Sequence, residues 1–174
     1  MFKDHSDQRT ELERLTPGLR RYARALVARD VDDSRLEADA LTSETLARAM
    51  RADHGARIQS QRIWLYATLT TLNRARARRR PPREKSASPD GKPAGRGVSD
   101  ALDALPLDHR EALLLVVLEG FTYGEAGDAL GLSRAAVGAR IARARSILDK
   151  RLDAAQPADA RKKQNLPPYL RLVE

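Results

Sequence analysis

Cysteine is absent from this sequence, which excludes disulfides, thiolate metal sites and a cysteine nucleophile, and nothing argues for an oxidising compartment. Histidine is scarce: His5, His54 and His109 stand in unlike contexts with no neighbouring set of ligands, so no metal site is expected. His109, beside Asp108, reads as a surface residue at a helix start. No apolar run approaches the length that spans a bilayer, and the amino-terminal "MFKDHSDQRTELERL" lacks the apolar core of a signal peptide. A cytoplasmic location without a membrane partner is the expectation. A phosphate-binding glycine loop is missing too, since "GDALG" has neither the lysine nor the strand context. Ser43 and Glu44 adjoin in "TSETL" without a base or an oxyanion device, so no catalytic constellation and no cofactor are implied.

What the sequence has in excess is positive charge. Lys and Arg number 32 against 24 Asp and Glu, a formal +8 in 174 residues, with an isoelectric point near 10.3. Such a balance suits a polyanionic partner such as nucleic acid. An apolar share of 41% supports real cores, in one ordinary domain or two small ones.

The apolar residues recur at helical spacing in two blocks, and no strand pattern competes. The expected class is all-α: a helical domain over 10–80, a flexible linker over 81–99, a second small helical domain over 100–153 and a tail over 154–174. The linker "PPREKSASPDGKPAGRGVS" holds four Pro, three Gly and three Ser with almost no large apolar side chain, too little to offset its ordering entropy. As a coil it spans roughly 25 Å, with a stretched limit of about 60 Å.

In the first block, Leu12, Leu15, Leu19, Tyr22, Ala23 and Leu26 share one face of a helix. In "SRLEADALTSETLARAMRA", which Ser34 is placed to cap, Leu36, Ala40, Leu41, Ala47 and Met50 are expected on a buried side. A third helix, capped by Ser60, offers Ile63, Trp64, Ala67, Leu69 and Leu72 for packing, with Trp64 in the core rather than stacked on a base. It ends in "NRARARRRPPREK", where Arg74, Arg76, Arg78, Arg79 and Arg80 meet only Glu84 as an opposing charge, the footprint of phosphate contact. A solvated helix end is the alternative reading.

In the second block, a short turn of helix stops at Pro106, an apolar helix runs from about Asp108 to Glu119, and Gly120 is placed to end it. The short helix "TYGEAGDAL", the turn "GLS" and a longer helix from near Ser133 then form a helix-turn-helix unit. Small residues at Ala126 and Gly127 let its helices approach, while Gly124 and Gly127 each cost about 1 kcal/mol relative to Ala in a helix interior. At 100° per residue, Val137, Ile141, Ala144 and Leu148 fall in one sector for packing. Arg134 and Arg145 flank one border, Arg140 the other, and Arg143 points away. That pattern fits a recognition helix, its first residues meeting base edges and its later arginines meeting phosphates.

These residues resemble a bacterial RNA polymerase sigma factor of the extracytoplasmic-function group, whose members consist essentially of two helical domains, regions two and four. Residues 101–152, from "ALDALP" through "GFTYGEAGDALGLS" to "RIARARSILDKRL", are similar to region four from end to end. The resemblance implies binding to the minus-thirty-five promoter element, with Arg134, Ala135, Ala136 and Arg140 nearest the bases and Arg143 and Arg145 towards the backbone. Residues 12–80 resemble region two through "LRRYARAL" and "WLYATL". "LTSETLARAM" resembles the helix that grips the polymerase largest subunit, which makes Asp39, Leu41, Glu44, Leu46, Arg48 and Met50 candidate polymerase contacts. Bundle packing of the apolar members and an exposed Glu44–Arg48 pair are the alternatives. Two positions depart from the family pattern: Ala40 stands where a further acid is usual, and Thr71 where an Asn is usual.

The partners so implied are core RNA polymerase, promoter DNA and an anti-sigma factor that clamps both domains. "LRRYARAL" and "GFTYGEAGDAL" further resemble sigma factors of the alphaproteobacterial general stress response. Two other readings stay open: a sigma mimic that traps an anti-sigma factor, and a stand-alone helix-turn-helix regulator. In the tail, "LPPYLRLV" is either a short apolar docking segment or incidental.

Overall fold

The structure, a computed structural model, describes residues 2–27, 34–51, 60–79 and 98–155. The expected linker, apart from its last residues, and the tail beyond 155 lie outside the described residues, as do His54 and Arg80. Seven α-helices are described: α1 Phe2–Leu26, α2 Ser34–Arg51, α3 Gln61–Arg79, α4 Val98–Asp103, α5 Leu107–Leu113, α6 Tyr123–Leu130 and α7 Arg134–Ala155. A π-helical turn, Leu114–Leu118, prolongs α5. No strand occurs among the described residues.

Helix α1 buries the six-residue face that its spacing defines, from Leu12 to Leu26. Pro17 stands inside it, next to Gly18. Of the residues expected on the buried side of α2, only Leu41 lies in the core. The core residues of α2 are Ala38, Leu41, Thr42, Thr45 and Ala49, while Leu36 and Met50 are 63% and 69% exposed, Ala40 is exposed and Ala47 is only partly covered. The reason is local: the Thr42 and Thr45 hydroxyls donate to the carbonyls of Ala38 and Leu41 at 2.9 and 2.8 Å. With their hydrogen bonds met inside the helix, two β-branched side chains pack as apolar ones.

In α3, the Ser60 side chain accepts from the Ile63 amide at 3.4 Å. Leu65, Tyr66, Leu69 and Leu72 fill the core, and Ile63, Trp64 and Ala67 pack against it partly buried. Tyr22 and Thr70 share a buried hydroxyl contact at 3.0 Å.

In the second block, buried Arg110 joins three chain segments. It donates to the carbonyls of Leu26 and Leu105 at 3.3 Å each and to that of Asp103, with the Asp103 carboxylate 3.5 Å away. One cationic side chain thereby satisfies carbonyls at the ends of α1 and α4, which buried backbone acceptors require. Gly120 and Gly131 both adopt φ +68°, the left-handed conformation that glycine enters without a Cβ penalty. They end the α5 segment and α6.

The buried apolar residues of both blocks, Ala101 apart, belong to one cluster. At its centre Tyr66 contacts Tyr22 and Phe121, with ring centroids 5.2 and 5.0 Å apart. Arg62 lies 4.0 Å over the Phe121 ring and donates to the Glu119 carbonyl. In this state the blocks are packed, not merely tethered.

Candidate nucleic-acid interface

The turn from α6 into α7 is fixed by a backbone hydrogen bond and a close backbone approach. The Leu132 amide donates to the Gly127 carbonyl at 2.9 Å, and a Cβ on Gly127 would sit 2.6 Å from the Leu132 carbonyl oxygen. Only glycine fits there. Ser133 then caps α7, its hydroxyl accepting from the Ala136 amide at 3.2 Å. Upstream, Thr122 and Glu125 form a reciprocal capping box at the start of α6, which satisfies two amide donors that the first turn of a helix leaves unpaired. The backbone and side-chain hydrogen bonds from Thr122 hold the Glu125 carboxyl below its ordinary value.

With Val137, Ile141 and Ala144 buried, the other face of α7 presents Arg134, Ala135, Ala139, Ala142, Arg143 and Arg145 to solvent. Ala136 is partly covered. Small side chains between arginines let a helix seat closely in a groove while the guanidiniums reach past them. Arg140 is placed differently from its neighbours: its side chain is only 25% exposed and its Nη2 lies 3.8 Å from Asp108 Oδ2. Burial of Asp108 acts upward on its carboxyl, but His109 and Arg140 outweigh it and hold the group below its ordinary value.

The second basic run is not one open patch. Arg74 donates to both oxygens of Glu111 at 2.6 to 3.0 Å, and Arg76 reaches Glu44 at 2.9 Å. Arg78 and Arg79 remain exposed. The opposing carboxylates come from α2 and α5, which sequence proximity does not reveal. Burial pushes the Glu111 carboxyl up and Arg74 pulls it back. The contacts have charge-assisted geometry, so the pair is ionic. A cavity of 410 Å³ adjoins it, lined by Arg74, Ala77, Arg78, Leu107, Asp108 and Glu111.

On α2, Met50 is exposed, Leu46 is partly buried, and Leu41 has no exposed surface with which to meet a partner. Glu44 pairs with Arg48 at 2.9 Å as well as with Arg76. Asp39 stands 3.6 Å from Arg24.

Sequence reasoning missed Arg21, Arg110, Glu111 and Glu119. For Arg110, Glu111 and Glu119 the signal was present, in charged residues lodged within the apolar run from Leu105 to Phe121, where a buried charge demands a partner. Among the described residues, no group of acids and histidines could hold a metal, and no helix is long and apolar enough to cross a membrane.

Comparison with known proteins agrees with this geometry. Residues 96–148 match the family model described as Sigma-70, region 4. The chain is 33% identical over 155 residues to the ECF RNA polymerase sigma factor EcfG of Rhodopseudomonas palustris, covering 80% of this chain and 82% of that one. It is 36% identical over 137 residues to ECF RNA polymerase sigma factor SigC of Mycobacterium tuberculosis, covering 70% and 72%. Among solved structures, the fold is similar to the sigma factor RpoE of Bartonella quintana in complex with the anti-sigma factor NepR. That match has a TM-score of 0.67 at 23% identity over 86% of this chain and 99% of that one. CnrH in complex with the cytosolic domain of CnrY gives 0.63 at 26% identity, covering 86% and 89%.

Proposed function

The chain belongs to the extracytoplasmic-function family of RNA polymerase sigma factors, and from that premise we propose that it docks on core RNA polymerase and selects promoters through α7. Sigma factors serve transcription initiation as regulatory, non-enzymatic proteins. Residues 100–153 form the module that reads the minus-thirty-five element, and residues 10–80 the module that meets polymerase and the minus-ten element, with 81–99 as the connector.

The observation that carries this reading is the open face of α7, Arg134, Ala135, Arg143 and Arg145, on a unit whose turn admits only glycine at position 127. Arg134 and Ala135 stand at the end of α7 that enters the groove, where base edges are read, and Arg143 and Arg145 stand where phosphates position the helix. Arg140 joins them on release from Asp108. Arg78 and Arg79 add phosphate contact beside α3, with Arg74 and Arg76 held in internal pairs.

The exposed side of α2 supports polymerase docking. Leu36, Ala40 and Met50, with Ala47 between them, make an uncovered apolar stripe on one helix face, flanked by Asp39, Glu44 and Arg48. Leu46 borders it; Leu41 supports it from within. The complex of RpoE with the anti-sigma factor NepR supports an anti-sigma factor as the physiological antagonist of this chain.

Mapping transcription start sites after overexpression tests the proposal. New start sites with a shared upstream motif are expected. Unchanged start sites, with tight capture of an anti-sigma factor, would identify a mimic instead.

A further inference from the structure

We propose that Glu111 and Glu119 form an ionic latch that holds the two helical blocks closed and competes with duplex DNA for the arginines of the first block. Both carboxylates belong to the α5 segment, both are buried, and both are neutralised from across the seam. Glu119, its side chain 3% exposed, takes Arg21 Nε and Nη2 at 2.9 and 3.0 Å and the Tyr66 hydroxyl at 2.6 Å. Glu111, with no exposed surface, takes Arg74. The partners lie 37 to 98 residues away in sequence, so neither site survives separation of the blocks.

Three features distinguish the latch from incidental packing. First, α1 is hollowed for it: a Cβ on Gly18 would lie 2.6 Å from the Tyr66 hydroxyl oxygen and 3.0 Å from Glu119 Oε2. Second, the seam buries charge where apolar side chains would serve. Buried ion pairs come near to balancing their own desolvation, so the charged part of the seam gives way to competing phosphates more readily than the apolar Tyr66–Phe121 contact beside it. Third, Arg74 is itself a candidate phosphate contact, and a guanidinium bonded to both Glu111 oxygens is withheld from DNA. The arginines of α7 at 134, 143 and 145 remain exposed in the closed state. DNA therefore engages α7 first, and its phosphates then draw Arg74 and Arg21 from the carboxylates. If the open state is a minor one, apparent affinity is reduced by its population.

The DNA-competition limb rests on the reading of α7 given above, and the experiment separates the two. The absence of cysteine allows a clean pair of labels at Ser43→Cys and Ser146→Cys, exposed on α2 and α7 of the full chain. Energy transfer between them is expected to be high at low salt and to fall as a short non-specific duplex is added. Glu111→Gln with Glu119→Gln is expected to lower transfer without DNA and to tighten duplex binding, up to about tenfold if the open state is about a tenth of the population. Gly18→Ala, which leaves every charge in place, is expected to do the same and serves if the double variant does not fold. Transfer unchanged in a folded variant, or unchanged in the native chain saturated with duplex, overturns the latch. If nothing binds duplex, the reading of α7 falls, and transfer in the DNA-free variants alone decides the latch.

Discussion

The Tyr66 hydroxyl donates to Glu119 Oε2 at 2.6 Å across 53 residues of sequence, and the aromatic ring behind it touches Tyr22 and Phe121. One side chain thus joins the amino-terminal helices to the segment that leads into the DNA-reading unit. Burial and the Glu119 carboxylate both push the Tyr66 hydroxyl above its ordinary 10, which favours the protonated, donating form.

Removing that donor should be costly. Tyr66→Phe keeps the ring contacts and deletes one hydrogen bond to a buried carboxylate, a loss of about 1.5 to 3 kcal/mol. Urea unfolding followed by circular dichroism checks this. A loss below about 0.5 kcal/mol would mean that Glu119 is not held by Tyr66.

Gly127→Ala would gain about 1 kcal/mol in an isolated helix. Here the new Cβ meets the Leu132 carbonyl at 2.6 Å, backbone that cannot rotate aside. The clash should win, by about 1 to 3 kcal/mol net of relaxation, and duplex binding should weaken with it. Equal stability of native and variant chains in thermal melts would contradict the turn geometry.

The capping box predicts a pH signature. Glu125 titrates below its ordinary 4.5 in the fold, so the stability it adds is present above that value and is lost as pH falls through the lowered one. Glu125→Gln should therefore flatten only the acid limb of stability against pH, and Thr122→Ala should cost about 1 kcal/mol. Melting curves across the acid range read both.

Arg134→Ala and Arg143→Ala should separate reading from positioning. The first is expected to lose about 1 to 3 kcal/mol on a cognate site and relax preference there, the second to weaken all duplexes alike and reduce the salt slope by about one. Arg140→Ala should do less than its helical position suggests, because Asp108 already holds that side chain. Titrations on cognate and scrambled duplexes at several salt concentrations distinguish the three.

Much of this was legible in the residues. The buried face of α1, the glycine that ends α6, the start of α7 and its inward Val137, Ile141 and Ala144 all follow from spacing and turn chemistry. What failed was α2, because hydropathy alone ranks Leu36 and Met50 above Thr42 and Thr45. The threonines reversed that order by satisfying their hydroxyls on their own helix. The run after Arg74 misled in a second way. Local sequence shows only Glu84 opposing it, whereas Glu111 and Glu44 arrive through tertiary packing that no window of neighbours contains. The same limit hid the seam.

Reconstituted run-off transcription asks most directly whether this chain makes polymerase promoter-specific. Core RNA polymerase with the purified chain should yield discrete transcripts from promoters that core polymerase alone ignores, and Arg134→Ala should weaken them while the variant still co-migrates with polymerase. No promoter-dependent transcript from the native chain, under conditions where the same polymerase works with its usual sigma factor, would contradict the assignment.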